Sequence, residues 1–148
     1  MEWIDVHARW PWLRGQRVHV VAADREPAVR TDLAADGFRC LTLNGTAVVD
    51  PPGFFAAAAK GFGFPAHFGA NWDAFRDGLG DLDAATPSRR LALLWTAADT
   101  FGRSDLGAFV AAVTTFDDVA RDLGAARRDG RSPLQLEVFV FSHGPGAA

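Results

Sequence analysis

Hydrophobic residues along the chain fall into four short runs, separated by stretches with helical spacing. The runs are rich in Val, Leu and Phe, which favour β-strands, and they occupy residues 18–23, 38–43, 91–95 and 134–141. The third run is apolar throughout, which is typical of a strand buried on both faces of a parallel sheet. The pattern therefore predicts an α/β fold in which helices cover a small, mostly parallel sheet of three to four strands.

Capping residues predict where the helices between these runs begin and end. Asp24 and Asp50 each precede a helical pattern and are expected to cap it. The strand, helix and strand over residues 18–43 predict a right-handed parallel crossover. A further helical region covers residues 99–129. We expect an interruption near Gly102 and Gly107, and a C-cap at Gly130.

Residues 1–16 follow neither a helical nor a strand pattern. They contain three of the five tryptophans of the chain, Trp3, Trp10 and Trp12. We expect an irregular arm whose tryptophans pack back on the domain, since exposed Trp is uncommon without a role. The alternative is an exposed arm that contacts a partner.

Residues 64–79 combine a loop with the start of a helix. Asn71 stands where an N-cap is expected. Asp73 and Asp77 lie four residues apart, so both carboxylates belong to one helix face, one turn apart. The apolar residues that recur at helical spacing among them are Trp72, Phe75 and Leu79.

Composition narrows the compartment and the partners. The chain has 148 residues, which suits a single domain, and its formal net charge of −3 argues against direct nucleic-acid binding. Cys40 is the only cysteine, which fits a reducing cytoplasm, and we expect it to be a small buried hydrophobe. No apolar run approaches the roughly 18 residues that span a bilayer, and the acidic start lacks a secretory signal. We therefore expect a cytoplasmic protein without a membrane partner.

Motifs for catalysis are weak. The glycines at positions 61 and 63 lack a third partner and follow no strand, so they indicate a helix terminus and not a dinucleotide site. The best enzyme case combines His67 with Asp73 and Asp77, which could bind a metal or perform acid–base work. That spacing is common, and a plainer interpretation makes both aspartates solvated residues on an exposed helix face.

Residues 68–79, Phe-Gly-Ala-Asn-Trp-Asp-Ala-Phe-Arg-Asp-Gly-Leu, resemble the central motif of the barstar family, intracellular inhibitors of barnase-type ribonucleases. The resemblance extends over residues 38–142 in the family's order of elements. It implies a barstar-like core with an N-terminal strand–helix addition (residues 1–37) and a loose tail (residues 143–148). It also implies an inhibitor and not an enzyme, an extracellular-type ribonuclease as the partner, and no cofactor. We expect a monomer when the protein is free.

The resemblance implies that an acidic helix enters the basic cleft of the nuclease, where its carboxylates take the places of RNA phosphates. Residues 65–85 carry four aspartates against a single arginine. Asp77 matches the family's main carboxylate, Asp73 its helical neighbour, and His67 and Phe68 an aromatic pair at the loop start. The remaining interface residues implied by position are Gly69, Ala70, Asn71, Trp72, Arg76 and Asp81.

Some positions depart from the best-known family pattern. In the best-known family member a Trp precedes the main Asp, and this chain has Arg76 at that position. That member also has an acid in the loop where this chain has Ala70. Arg76 would be unfavourable against a uniformly basic cleft, so it could pair with Asp73 or with an acidic group of a different partner. If the last helix ends where its pattern predicts, Asp129 takes a peripheral acidic position and Ala125 replaces another acid. Two alternatives stay open: a barstar-like interaction or immunity domain for a different toxin, and a small metal-dependent hydrolase.

Overall fold

The computed structural model describes residues 2–125 and 132–144. In chain order its elements are α1 (Val6–Arg9), β1 (Val18–Ala22), a 3₁₀ turn (Ala23–Arg25), α2 (Glu26–Ala35), β2 (Arg39–Asn44), α3 (Pro51–Phe62), α4 (Trp72–Asp81), β3 (Arg90–Thr96), α5 (Ala98–Ser104), α6 (Leu106–Gly124) and β4 (Gln135–Ser142). No helix among these residues has the length and the apolar character needed to cross a membrane. The predicted α/β fold is confirmed.

The four strands form one sheet in the order β1-β4-β3-β2, and every pairing is parallel. β3 and β4 lie in the centre and are almost entirely buried, as the apolar character of residues 91–95 predicts. β1 and β2 are the two edges, so the crossover through α2 spans the full width of the sheet. The predicted mostly parallel sheet is wholly parallel within the described residues.

Each face of the sheet has its own core, because successive residues of a strand point to opposite sides. On one face, Leu93 and Trp95 of β3 pack with α3, α4, α5 and α6. On the other face, Leu94 and Phe139 pack with the N-terminal arm and α2. The residues before β2 therefore supply both an edge strand and the cover of the second face.

The tryptophans of the N-terminal arm differ in their surroundings. Trp10 packs back on the sheet, with 4% of its surface exposed and its ring edge-on to Phe139 at 5.5 Å. Trp12 is half-buried, and the Arg25 guanidinium lies 4.0 Å from its ring centre. Trp3 is 48% exposed. The predicted packing of the arm is confirmed for Trp10 and holds only in part for Trp3, whose ring lies beside Gly124 while about half of its surface is exposed. The prediction of an irregular arm is wrong for Val6–Arg9, which form α1 behind a cap by the Asp5 carboxylate.

Cys40 lies on β2 at the margin of the second core, and it is half-buried where full burial was expected. Burial raises the pKa of its thiol, and the nearby Arg30 guanidinium opposes that rise. A raised pKa keeps the thiol neutral, which fits the predicted role as a small hydrophobe.

One predicted helix cap is wrong, whereas the predicted break near Gly102 and Gly107 is confirmed and lies between the two glycines. Asp24 lies inside the 3₁₀ turn, and α2 follows that turn without a side-chain cap, because backbone hydrogen bonds of the turn lead directly into the helix. The break between α5 and α6 falls at Asp105, whose carboxylate accepts a hydrogen bond from a backbone N–H at 3.0 Å. Gly102 and Gly107 lie inside the two helices. A side-chain cap, and not a flexible glycine, separates α5 from α6.

The last helix also ends earlier than its pattern predicts. α6 stops at Gly124, and Ala125 is extended with φ −80° and ψ 159°. The backbone N–H of Leu134 then bonds the carbonyl oxygen of Leu123 at 2.8 Å, so the end of the helix is tied to the start of β4. The expected acid at Asp129 and the expected cap at Gly130 lie outside the described residues, as do residues 145–148 of the predicted tail.

Candidate functional site

A loop between α3 and α4 forms the first part of the site. α3 ends in Gly63, whose φ of +73° is a left-handed conformation that glycine adopts without strain. The loop then turns on a backbone hydrogen bond from the N–H of Phe68 to the carbonyl oxygen of Pro65, at 2.9 Å. His67, Gly69 and Ala70 are exposed on this loop, whereas Phe68 is half-buried.

Asn71 ends the loop and starts α4, as predicted. Its backbone is extended (φ −148°, ψ 170°), and its side-chain oxygen accepts a hydrogen bond from the N–H of Ala74 at 2.8 Å. Such a cap satisfies one of the N–H groups that a helix start leaves without a partner, and it stabilises the helix by about 1 kcal/mol. The cap therefore fixes the point at which the loop becomes a helix.

Aromatic rings hold α4 rigidly against the core. Phe75 is fully buried and lies edge-on to Phe54 at 5.1 Å and to Phe116 at 5.3 Å. Trp72 is half-buried and packs edge-on against Phe55 at 4.8 Å. Trp72 is thus mainly a support for the helix, with one side left accessible.

Three carboxylates follow one another along the exposed face of α4. Asp73, Asp77 and Asp81 are spaced by four residues, and all three side chains are exposed. None of them forms an ion pair or accepts a side-chain hydrogen bond from a described residue. The fourth aspartate of this acidic segment, Asp83, is instead buried and paired with Arg89 at 2.6 Å. Of the four aspartates in residues 65–85, the three on α4 are therefore the ones accessible to a partner.

α6 adds carboxylates that sequence reasoning missed. A groove between α4 and α6 is lined by Asp77, Asp81 and Asp122, with Val119 and Leu123 between them. The two helices together carry six aspartates against two arginines. The repeat of aspartates at positions 118 and 122 could have signalled this face, because it has the same four-residue spacing as α4.

The Arg76 side chain forms its ion pair with α6 and not with a residue of its own helix, α4. Its guanidinium bonds the Asp118 carboxylate at 3.1 Å, and the other oxygen of that carboxylate bonds Arg121 at 2.9 Å. The predicted pairing of Arg76 with Asp73 is therefore wrong. Both partners of the new pair are more than a third exposed, so it contributes at most about 1 kcal/mol. It holds a positive charge at a fixed position beside the acidic row.

The metal-dependent alternative has no geometric observation in its favour. His67 is exposed and forms no hydrogen bond or ion pair with Asp73 or Asp77 within the described residues. Across the same part of the chain, no three side chains of His, Cys, Asp or Glu are grouped so that they could hold a metal ion.

The α/β frame thus presents an exposed loop followed by a helix with an acidic face. The model of the Barstar family, described as barnase inhibitor, matches residues 38–138, and the chain belongs to this family. The match includes the whole loop, α4 and α6, and it begins at residue 38, directly before β2. It supports a role like that of a barnase inhibitor in general terms. A comparison with curated proteins found no match.

Proposed function

We propose that this protein inhibits a barnase-type ribonuclease by inserting the loop and the acidic face of α4 into the nuclease active site. The observation that carries the proposal is the row of three exposed, unpaired carboxylates on a capped and rigid helix. A ribonuclease cleft binds RNA phosphates through cationic side chains, and carboxylates can occupy the same positions. No cofactor takes part. The partner is an extracellular-type ribonuclease that the producing cell must restrain in its cytoplasm, and the free inhibitor is a monomer.

The site residues have distinct roles in this proposal. Asp77 lies at the middle of the row and enters the active site, with Asp73 and Asp81 as flanking contacts. His67 contacts the rim of the cleft, since it is exposed at the loop start. Phe68 is half-buried and shapes the loop from below. Asn71 caps the helix and Trp72 supports it, while Gly69 and Ala70 form the exposed turn between them.

The negative charge of the inhibitor raises the rate of association with the nuclease as well as the affinity. The acidic faces of α4 and α6 attract a basic cleft over distance and orient it before contact. The free-energy cost of ordering the carboxylates on binding is small, because the cap and the aromatic support already hold α4 in place. We therefore expect association to slow as salt is added, since salt screens exposed charges.

The test is inhibition of RNA cleavage by barnase, with wild-type protein and with Asp77→Ala. A central interface residue of this kind costs at least about 2 kcal/mol when truncated, or roughly 30-fold in the inhibition constant. Asp24→Ala is the matched control, because Asp24 is also an exposed aspartate and lies on the 3₁₀ turn, outside the proposed interface. Full nuclease activity at an excess of wild-type protein would refute the proposal for this nuclease. Equal inhibition by wild type and Asp77→Ala would refute the role of Asp77.

Arg76 favours a second candidate, a barstar-like interaction domain for a different toxin. Its guanidinium is held beside the acidic row by Asp118, where a uniformly basic cleft would repel it. Replacement by alanine separates the two candidates. Arg76→Ala strengthens binding to a nuclease with a basic cleft, whereas it weakens binding to a toxin that offers an acidic group at this point.

A further inference from the structure

A residue with a strained backbone lies directly before β3. Arg89 has a φ of +61°, which is a left-handed conformation that costs free energy for any residue with a Cβ atom. Such strain persists only where the surrounding contacts hold the residue in place, and it is found most often near sites with a function. The contacts of Arg89 therefore indicate what this strained conformation serves.

The Arg89 side chain reaches the end of α4. Its guanidinium forms an ion pair with the Asp83 carboxylate at 2.6 Å and donates a hydrogen bond to the Asp83 carbonyl oxygen at 3.2 Å. The Asp83 side chain is fully buried, and that of Arg89 is 17% exposed. A buried ion pair adds little net stability, because both charges lose their hydration. Since Asp83 follows the last residue of α4, Asp81, by two positions, the pair instead fixes where the last turn of the helix lies.

Arg89 also reaches the segment that leads from α6 into β4. Its guanidinium donates to the carbonyl oxygen of Ser132 at 2.5 Å, and its own carbonyl oxygen accepts a hydrogen bond from the N–H of Gln135 at 2.9 Å. Between these two residues, the N–H of Leu134 donates to the carbonyl oxygen of Leu123 in the last turn of α6. Arg89 thus connects the C-terminal ends of α4 and α6.

These two helix ends form walls of the acidic groove between α4 and α6. Asp81 lines it from the last turn of α4, and Asp122 and Leu123 line it from the last turn of α6. Neither carboxylate forms an ion pair with a residue that the structure describes. Like charges repel, so two unpaired acids on one groove favour separation of the helices that carry them. A contact that holds both helix ends opposes this separation.

We infer that Arg89 is a positioning residue for the proposed interface: it holds the acidic ends of α4 and α6 where the basic cleft of the ribonuclease can engage them. The inference rests on the proposed function, and it assigns no contact with the nuclease to Arg89 itself. Asp81 depends on Arg89 for its position. Asp73 lies at the other end of α4, where the Asn71 cap holds the helix, and it does not depend on Arg89.

A double-mutant cycle in the inhibition constant for barnase tests this role, with Arg89→Gly and Asp81→Ala made singly and together. Glycine adopts the left-handed backbone without strain and deletes the guanidinium. We expect Asp81→Ala to raise the inhibition constant about tenfold in the wild-type background, and less than about twofold in the Arg89→Gly background. The reason is that Asp81 contributes little to binding once the end of α4 is released.

Two controls separate positioning from a general loss of stability. Asp73→Ala should raise the inhibition constant by the same factor in both backgrounds, because the Asn71 cap is intact in each. Trp10→Ala disturbs the core on the other face of the sheet, and it should leave the effect of Asp81→Ala unchanged. If Arg89→Gly does not fold, Asp83→Asn breaks the same ion pair with a side chain of equal size and takes its place in both cycles.

The outcomes distinguish the positioning role from the proposed function. Equal effects of Asp81→Ala in the two backgrounds, with wild-type inhibition intact, would overturn the role of Arg89 while inhibition stands. An equal decline of the Asp73 and Asp81 effects would also overturn it, because Arg89 would then support the fold as a whole. If wild-type protein does not inhibit barnase, the proposed function fails for this nuclease and the positioning role fails with it.

Discussion

Trp10→Ala tests whether the N-terminal addition is an integral part of the fold. Trp10 is 4% exposed, and its ring lies edge-on to Phe139 of the central strand at 5.5 Å. Its indole N–H also donates to the Asp32 carboxylate at 2.9 Å. Asp32 keeps its ion pair with Arg9 at 3.2 Å after the substitution, so no carboxylate loses its last partner.

The expected loss in the free energy of unfolding follows from these contacts. Removing a buried Trp side chain costs about 3–5 kcal/mol, which includes the cavity left in the second core. For a chain of this length each kcal/mol corresponds to roughly 2–4 °C, so the melting temperature should fall by about 6–20 °C. Total stabilities of about 5–15 kcal/mol are usual, so this loss is a large fraction of the free energy of unfolding.

Urea unfolding followed by circular dichroism measures this loss. Trp3→Ala is the control in the same arm, because Trp3 is 48% exposed and its removal should change stability by less than about 1 kcal/mol. A Trp10→Ala loss below about 1 kcal/mol, or one no larger than that of Trp3→Ala, would refute the reasoning. Nuclease inhibition below the transition should stay unchanged, since α4 packs on the other face of the sheet.

Two further substitutions probe the cap and the buried polar pair. Asn71→Ala should lower stability by about 1 kcal/mol in urea and weaken inhibition, because the cap fixes the start of α4, whereas Asn71→Asp should retain both. Glu137→Ala should cost about 1–3 kcal/mol, because it leaves the ring Nε2 of buried His19, now 2.8 Å from the carboxylate, without this partner. Glu137→Gln keeps an acceptor and should lose clearly less in the same urea titration, and an equal loss in both variants would contradict the pair's role.

Local signals predicted the parts of the fold that depend on neighbouring residues. The four strands follow from short apolar runs, and the caps at Asp50 and Asn71 follow from a side chain that reaches only three residues ahead. A break before α6 is predicted near Gly102 and Gly107, because glycine weakens helices. The break lies between the two glycines, at Asp105, whose side chain supplies the cap.

Features that depend on tertiary contacts were beyond the sequence pattern. The pairing of Arg76 with Asp118 joins residues on two helices, and no spacing along the chain announces it. The four-residue spacing of Asp118 and Asp122 does signal an acidic face on α6, but only the packing of α6 beside α4 shows that this face adjoins Asp77 and Asp81. His19 and Glu137 are far apart in sequence, and only the pairing of β1 with β4 brings them together. The assignment of Asp77 to the centre of the interface remains a prediction that comes from the family motif.

The strand order has a consequence for synthesis of the protein. β4 is the last strand to leave the ribosome, yet it lies between β1 and β3 in the sheet. β1 therefore has no partner strand until β4 has been made. The hydrogen bonds between the Ile4 backbone and the Gln135 side chain likewise form only after residue 135 has been added. Closing such distant contacts is slow compared with forming local helices. A nascent chain can thus carry the complete acidic helix α4 before β4 has completed the sheet on which that helix is supported.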